Sequence, residues 1–461
     1  MIALQSKRVM ILGRDPSGEA AAALVRTRGG EVTWAAPEDM APGVDPDLVV
    51  VSATCGRTPA WLRELAGRGV AVLAERELAY QCSLCLHVAI AGTSGKSTTA
   101  QLIAHILRGA GRRVAIADRW ERPACSLVEA SRELDFLIHV VGSSEPEHFV
   151  YFRPVVGVLL NASVDVAGME GTHEDFIRRL ARLFAVQQAF DWAIVQSEAM
   201  ARLQASGVVL PGKQITFSSS SRQADLREDR GLLVSRIEGW SGPLWDLARG
   251  RMSGSHFAED ALAALAVGRV LRLTLEQMLP ALATFETGPG RMELLGEVDG
   301  VRYVDDSRAS SLDALARALL TLAPTQPDRA FICLVAGGDS AGRQFYDLGP
   351  LISPRVRQAF VHGEAAPAMC AAWSLFAPCV PVGSLLEAAQ RAVAQSEPGD
   401  VVLYSPACPS REKILGPPTA GAAFREEVRR RLDQGTRVPS GIAADATATG
   451  DPSSVPNPVE S

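Results

Sequence analysis

The sequence predicts an α/β protein of three domains, and two observations lead to this prediction. Short apolar segments alternate with amphipathic segments along most of the chain, a pattern typical of parallel sheets covered by helices. The chain has 461 residues, which corresponds to about three domains of ordinary size. The alternation breaks twice, and we therefore expect domains at 1–86, 87–288 and 289–436. Residues 437–461 offer almost no large apolar side chain, so a disordered tail is predicted there.

The first segment is predicted to contain four strands and two helices in alternation. The strands are expected at 8–13, 31–35, 47–52 and 70–73, and the helices at 19–28 and 61–68. Because consecutive strands are separated by helical or loop segments, a parallel sheet is the expected arrangement.

The second segment opens with the most informative motif of the chain. Residues 88–99 read Val-Ala-Ile-Ala-Gly-Thr-Ser-Gly-Lys-Ser-Thr-Thr, an apolar strand that runs into a glycine-rich loop, and residues 99–107 have helical spacing. Such a loop binds phosphates with its backbone N–H groups at a helix N-terminus, so a nucleoside triphosphate is the expected ligand. Lys96 can reach the outer phosphates, and the Ser97 hydroxyl can bind Mg²⁺. The predicted nucleotide-binding residues are Gly92, Thr93, Ser94, Gly95, Lys96, Ser97 and Thr98.

The remaining elements continue the same alternation. Nearly continuous apolar runs, typical of central parallel strands, indicate strands at 134–141, 155–161, 192–196, 301–304, 330–336 and 401–404. Helical spacing indicates helices at 174–184, 256–270, 312–322 and 422–432.

The composition limits the classes of function. Hydrophobic residues make up 47% of the chain and charged residues 21%, as in ordinary globular domains. The net charge is −6 and no basic run is interleaved with aromatic residues, so nucleic acid is not an expected partner. Residues 1–13 do not fit a signal peptide, and no apolar run approaches the roughly 18 residues of a membrane span. We expect a cytoplasmic monomer without membrane insertion.

Eight cysteines are scattered along the chain, and Cys82 and Cys85 form one C-x-x-C pair. A zinc site needs a second pair of ligands at suitable spacing, and the sequence offers none. Reduced thiols are therefore expected, with a metal or redox role for this pair as the alternative.

A series of short motifs occurs in a characteristic order between residues 5 and 432. The motifs are residues 92–99, with Ser94 at a position of asparagine in G-T-N-G-K-[ST]-T; Leu160 and Asn161 followed by Asp165; 288–293 (GPGRME); 304–310 (VDDSRAS); 336–345 (AGGDSAGRQF); and 399–410 (GDVVLYSPACPS). In sequence and in order they resemble the motifs of the Mur ligases. The resemblance implies Rossmann-like N-terminal and C-terminal domains on either side of a central P-loop domain of the ATPase type.

The resemblance also implies a reaction. Mur ligases use ATP and Mg²⁺ to phosphorylate a carboxylate, and an amine then attacks the acyl phosphate. The branch most similar to this chain adds D-glutamate to UDP-N-acetylmuramoyl-L-alanine in peptidoglycan precursor synthesis, so a nucleotide sugar and an amino acid are the implied partners. Arg291 and Asp306 match residues with which the third domain closes on the nucleotide. Lys96, Asp306 and Arg308 are the implied catalytic residues, Arg308 at the position of a lysine. Solvated surface charges or a loop cap are the alternatives for these third-domain residues.

Several positions depart from the family pattern. The resemblance places Val141 where the family has a Mg²⁺-binding glutamate, and Leu180 where it has a carbamoylated lysine that binds a second metal. Glu145 and Glu147 either substitute as ligands or lie in a solvated loop. In the first domain, Asp15 replaces a glycine of the turn that receives the nucleotide-sugar diphosphate. Ala341 replaces a lysine in the third.

These departures keep three functions open. The first is the D-glutamate-adding ligase with a rearranged site. The second is a related ATP-dependent ligase that joins another amine to another carboxylate, and the third is a nucleotide-binding protein without catalytic activity.

Overall fold

The computed structural model describes residues 2–39, 46–53, 55, 59–118, 121–142, 145–162, 172–250, 252, 255–322, 329–340, 343–408 and 421–435. Within this part of the chain the strands form three sheets of four, nine and six strands. Helices pack on these sheets, which confirms the predicted α/β class. The predicted tail at 437–461 lies outside the described residues.

The first sheet contains parallel strands in the order β2-β1-β3-β4. Its strands are β1 (Arg8–Leu12), β2 (Glu31–Ala35), β3 (Leu48–Val51) and β4 (Ala71–Ala74), and its helices are α1 (Pro16–Thr27), α2 (Ala60–Gly67) and α3 (Glu75–Cys82). Helix α1 begins three residues before the predicted start because Asp15 caps it and Pro16 occupies its first position.

The second sheet has the order β13-β12-β11-β10-β9-β8-β5-β7-β6. Its strands are β5 (Leu86–Ala91), β6 (Val114–Ala117), β7 (Phe136–Val140), β8 (Val156–Leu159), β9 (Trp192–Gln196), β10 (Lys213–Ser218), β11 (Leu226–Asp229), β12 (Leu232–Ser235) and β13 (Gly242–Asp246). Its helices are α4 (Lys96–Gly109), α5 (His173–Ala181), α6 (Ser197–Ala205), α7 (Ser255–Val270) and α8 (Leu275–Thr284). All neighbouring pairs among strands β5 to β11 are parallel. Strand β12 is antiparallel to β11, and β13 is antiparallel to β12. The sequence analysis did not identify this antiparallel extension.

The third sheet has the order β14-β15-β19-β16-β17-β18, with β14 antiparallel to β15 and the other pairs parallel. Its strands are β14 (Glu293–Val298), β15 (Val301–Asp305), β16 (Ile332–Gly337), β17 (Val356–His362), β18 (Cys379–Val382) and β19 (Val401–Ala407). Its helices are α9 (Leu312–Thr321), α10 (Gly349–Ile352), α11 (Ala366–Trp373), α12 (Leu385–Gln395) and α13 (Ala422–Gly435).

The topology explains where polar groups gather. The central strands β5, β8 and β19 are buried along almost their whole length, so polar side chains are placed just beyond their ends. In parallel sheets the loops at the carboxyl ends of the strands lie together, and ligands bind at that edge. None of the described helices is long and apolar enough to cross a membrane.

Candidate functional site

The loop between β5 and α4 has the backbone geometry of a phosphate cradle. Gly92 and Gly95 have φ angles of 145° and 79°, conformations that favour glycine. A Cβ atom at Gly95 would lie 3.0 Å from Asp260 Oδ1, which leaves no room for a side chain. Ser97 and Thr98 belong to the first turn of α4, whose N–H groups have no partner within the helix and are available to an anion. The predicted loop residues therefore form one strand–loop–helix unit.

Lys96 lies over this loop. Its Nζ donates hydrogen bonds to Gly92 O at 2.7 Å and to Thr93 O at 3.1 Å. The ammonium group is therefore held beside the backbone N–H groups, where a phosphate group would meet both.

Asn161 organises the loop from the neighbouring strand. It lies two residues beyond the end of β8, and its Oδ1 accepts hydrogen bonds from Thr93 N at 2.7 Å and from Ser94 N at 3.0 Å. The sequence analysis included Asn161 in a motif but gave it no role in the site. Its position after a buried strand next to β5 is the signal that could have identified it.

Helix α7 contributes a carboxyl group below the loop. Thr99 Oγ1 donates a hydrogen bond of 2.6 Å to Asp260 Oδ1. Burial raises the pKa of Asp260 to about 7, although the Thr99 hydrogen bond and the positive charges of Arg317 and Arg291 act in the opposite direction. Asp260 therefore exchanges its proton in the physiological range.

Asp306 and Arg291 lie together at the edge of the third sheet. Asp306 Oδ2 accepts a hydrogen bond from Ser405 Oγ at 2.9 Å, and Oδ1 accepts one from Met292 N at 3.3 Å. Burial raises the pKa of Asp306 to about 7 and lowers that of Arg291 to about 10. The Nε atom of Arg291 is buried without a hydrogen-bond partner in the part of the chain that the structure describes. A buried guanidinium group with an unused donor is suited to an incoming anion.

Arg308 is the third predicted residue of this group. Its Nη2 atom lies 3.0 Å from Glu121 Oε1, across the gap to the second sheet. The positive charge of Arg308 also lowers the pKa of Arg291, whereas the negative charges of Asp306 and Asp260 raise it. The charges of both Asp306 and Asp260 act on the pKa of Arg291, so the third-sheet edge and the carboxyl group below the loop lie within electrostatic reach of each other.

Comparison with known proteins identifies the family. The model for the Mur ligase middle domain matches residues 90–268, and the model for the Mur ligase glutamate ligase domain matches 290–408. A UDP-N-acetylmuramoylalanine–D-glutamate ligase of Geobacter metallireducens is 31% identical over 386 residues, which cover 83% of each chain. The chain belongs to the Mur ligase family.

Further Mur ligases support the assignment over nearly the whole length. An enzyme of the same name from Desulfitobacterium hafniense is 28% identical over 93% of this chain and 98% of its own. Among solved structures, a MurF ligase from Thermotoga maritima in complex with ADP has a TM-score of 0.59 at 18% identity and covers 94% of this chain and all of its own. A UDP-N-acetylmuramate–alanine ligase from the same organism has a TM-score of 0.57 at 16% identity, covering 93% of this chain and all of its own. These two structures show the shared fold.

The residues present fit one Mur ligase metal site and not the other. Ser97 offers one hydroxyl at the start of α4, which fits a nucleotide-bound Mg²⁺, an ion that takes few protein ligands and several phosphate or water oxygens. Val141 and Leu180 are both fully buried in a single apolar cluster with Phe149, Phe176 and Phe184. Neither has an oxygen donor, and among the described residues no group of three or more His, Cys, Asp or Glu side chains is placed to hold a metal.

Glu145 and Glu147 were the alternative ligands, and the structure gives them other partners. Glu145 Oε2 lies 2.5 Å from Nε of Arg76, and both side chains are almost completely buried. Glu145 Oε1 accepts a hydrogen bond of 2.8 Å from Gly142 N. Glu147 lies 3.9 Å from Arg179 and is partly exposed. The expectation of a solvated loop is therefore wrong for Glu145, because its carboxylate neutralises an arginine inserted between the first two sheets.

The first-domain turn is occupied by the protein's own carboxylate. Asp15 Oδ1 accepts a hydrogen bond from Gly18 N at 2.9 Å, and Oδ2 accepts one from Ser52 Oγ at 2.7 Å. The first of these bonds uses a backbone donor at the N-terminus of α1, where Rossmann-like domains bind pyrophosphate. In this chain, a diphosphate bound at the turn would therefore lie next to the carboxylate of Asp15.

The C-x-x-C pair does not form a metal site with other described residues. Cys82 is buried, all eight cysteines are free thiols, and burial raises the pKa of Cys85 to about 11. Asp165 and Ala341, two motif positions that the sequence analysis discussed, lie outside the described residues.

Proposed function

We propose that this protein is an ATP-dependent amide ligase that joins D-glutamate to the L-alanine carboxylate of UDP-N-acetylmuramoyl-L-alanine. The observation that carries the proposal is a phosphate loop with Lys96 over it, in a chain that is 31% identical to an enzyme of this name, and Arg291 and Asp306 support it as charged groups of the third-sheet edge. The proposal includes action in the cytoplasm, since free thiols fit a reducing compartment. The domain boundaries at 1–86, 87–288 and 289–436 are part of the proposal.

The charges at the site suit the reaction. ATP transfers its terminal phosphoryl group to a substrate carboxylate, the amine of D-glutamate attacks the acyl phosphate, and the amide forms as phosphate leaves. Lys96 and the loop N–H groups stabilise negative charge on the nucleotide phosphates. Arg291 offers its unused Nε donor to an anion, and Asp306 is held in position by Ser405. Arg308 bridges to Glu121 and keeps the third-sheet edge close to the loop.

Mg²⁺ is proposed as the companion of ATP at Ser97. When bound, it neutralises phosphate charge and polarises the phosphoryl group. We assign no step to a second metal, because Val141 and Leu180 fill the corresponding positions with apolar side chains.

A second candidate function is nucleotide binding without ligation. The buried cluster around Val141 and Leu180 favours it, together with the carboxylate of Asp15 at the first-domain turn. Both features remove groups that hold metal or substrate, whereas the phosphate loop is complete.

Phosphate release by the purified protein distinguishes these functions. The assay contains MgATP, with UDP-N-acetylmuramoyl-L-alanine and D-glutamate each present or omitted, and Lys96→Ala as the inactive control. Release that requires both substrates supports the ligase. ATP binding in a titration without release under any condition favours the second candidate, and the absence of ATP binding contradicts both.

A further inference from the structure

A carboxylate of the third domain reaches the phosphate loop. Ser94 Oγ donates a hydrogen bond to Asp313 Oδ2, although the two residues are 219 positions apart in the sequence. Asp313 lies in the first turn of α9, which is capped by Ser311 through a hydrogen bond of 3.2 Å to Ala314 N. The helix start therefore fixes the carboxylate against the loop.

The same carboxylate oxygen also accepts a hydrogen bond from within α9. Arg317 Nε donates a hydrogen bond of 3.0 Å to Asp313 Oδ2, and Arg317 Nη1 lies 3.9 Å from Glu259 Oε2 on α7. Glu259 in turn accepts a hydrogen bond of 2.9 Å from Ser219 Oγ. The chain of contacts Ser94–Asp313–Arg317–Glu259 thus joins the second and third domains at two points.

The location of Asp313 conflicts with a bound polyphosphate. The N–H groups at the start of α4 and the Lys96 ammonium group form an anion site, and they attract a carboxylate as they attract phosphate. A phosphate that enters beside Asp313 would experience a repulsion that grows with the charge of the nucleotide. Ser94 cannot donate its single hydroxyl proton to Asp313 and to a phosphate oxygen at the same time.

We propose that Asp313 is a residue of the nucleotide site. Its carboxylate binds Ser94 of the phosphate loop when no nucleotide is bound, and the phosphates of ATP displace it. Displacement releases α9 from the loop, so nucleotide entry changes the contact between the second and third domains. The carboxylate lowers the affinity for ATP and thereby sets the nucleotide concentration at which the domains rearrange. This inference rests on the proposed binding of ATP at the loop.

The test is a calorimetric titration of the full chain and of Asp313→Asn with ATP, ADP and AMP, each with Mg²⁺. Asparagine accepts the Ser94 hydrogen bond but carries no charge, so ATP should bind about fivefold more tightly, from removal of one nearby charge in a largely hydrated site. The gain should be smaller for ADP, absent for AMP, and reduced at 0.5 M salt by screening. Asp313→Ser, which also suits a helix start, should show the same order.

Glu259→Gln is the matched control, because it weakens the far end of the contact chain and leaves the Asp313 charge beside Ser94. Its ATP affinity should rise less than that of Asp313→Asn, because it weakens only the far contact between the domains and keeps the repelling charge. An equal gain in Glu259→Gln, an equal gain for AMP, or weaker ATP binding by Asp313→Asn would overturn the inference. If the wild type binds no ATP, the proposed function itself fails. If the wild type binds ATP and Asp313→Asn binds it with the same affinity, only the inference about Asp313 fails.

Discussion

Glu145 and Arg76 form a buried ion pair between the loop after β7 and the start of α3, with side chains 3% and 0% exposed. Arg76 Nη1 also donates a hydrogen bond of 3.3 Å to O of Ala117, the last residue of β6. The pair thereby ties the first sheet to the carboxyl edge of the second. A carboxylate that the sequence analysis considered as a metal ligand thus serves the domain junction.

Removing one partner of this pair should destabilise the protein strongly. Glu145→Gln leaves the Arg76 charge buried without its counter-ion, which typically costs about 3–5 kcal/mol. The control is Glu174→Gln, because the ion pair of Glu174 with Arg178 is more than half exposed on both sides and should matter little. Urea unfolding of both variants measures the difference. Equal midpoints would show that the buried pair contributes no more than the surface pair.

A single charge introduced at Val141 or at Leu180 should lower the free energy of unfolding. Val141→Glu or Leu180→Lys places an ionisable group in a cluster that is otherwise apolar, with a cost of about 2 kcal/mol or more. If the two side chains meet, the double variant should be more stable than the sum of the single changes predicts, because opposite charges pair. Unfolding free energies of the four proteins give this coupling.

The same double variant tests the metal site. If the remaining site is intact, Val141→Glu together with Leu180→Lys should raise the rate of phosphate release. Leu180→Lys alone should not raise it, because position 141 still lacks a carboxylate. A wild type that already turns over at the enzyme median of roughly 10 per second would contradict the view that this site has lost its metal ligands.

Lys96→Ala should weaken ATP binding by about 1.5–3 kcal/mol, the usual loss for a hydrogen bond to a charged group. The reason is that Lys96 Nζ, which donates to Gly92 O and Thr93 O, lies over the loop and would donate to a phosphate oxygen there. Lys7→Ala, a change at an exposed position of the first domain, is the control for altered net charge. Equal affinities in a calorimetric titration would rule out the assigned role.

ATP binding should be accompanied by proton uptake near pH 7. Burial raises the pKa of Asp306 to about 7, and a polyanion nearby raises it further, so the bound state holds more protons than the free state. The affinity should therefore fall as the pH rises through 7 to 8. Titrations in buffers of different ionisation enthalpy measure the uptake, which should decrease in Asp306→Asn. ATP and Asp260 contribute to the uptake in both proteins, so the difference between the two proteins isolates Asp306. Proton uptake that is the same in both would exclude Asp306 as a source.

Local patterns predicted the local parts of the site. The apolar strand, the glycines and the lysine of residues 88–99 are contiguous, and their geometry follows from sequence spacing alone. The strand at 192–196 was predicted with its observed bounds, because a buried parallel strand has a continuous apolar run. The first-sheet turn was predicted only in part, because α1 begins three residues before the expected start, and the hydrogen bond from Ser52 to Asp15 comes from a residue 37 positions away.

Long-range contacts could not be predicted in this way. Nothing near Asp313 indicates that its carboxylate meets Ser94, because α9 and the loop approach only through the packing of two domains. The antiparallel strands β11 to β13 have short and mixed patterns, with partly exposed faces, and their periodicity was too weak to identify. Glu145 looked like a loop residue because its partner Arg76 lies in another domain.

The apolar cluster around Val141 and Leu180 also limits how a metal site could be engineered into this protein. A carboxylate introduced alone at position 141 would be buried among aromatic and aliphatic side chains, with no lysine at position 180 to pair with it. Each single change toward a metal-binding pair therefore passes through a less stable protein, whereas volume-conserving apolar exchanges at these positions cost little. Engineering here has to introduce both groups together, or first raise the stability of the protein elsewhere.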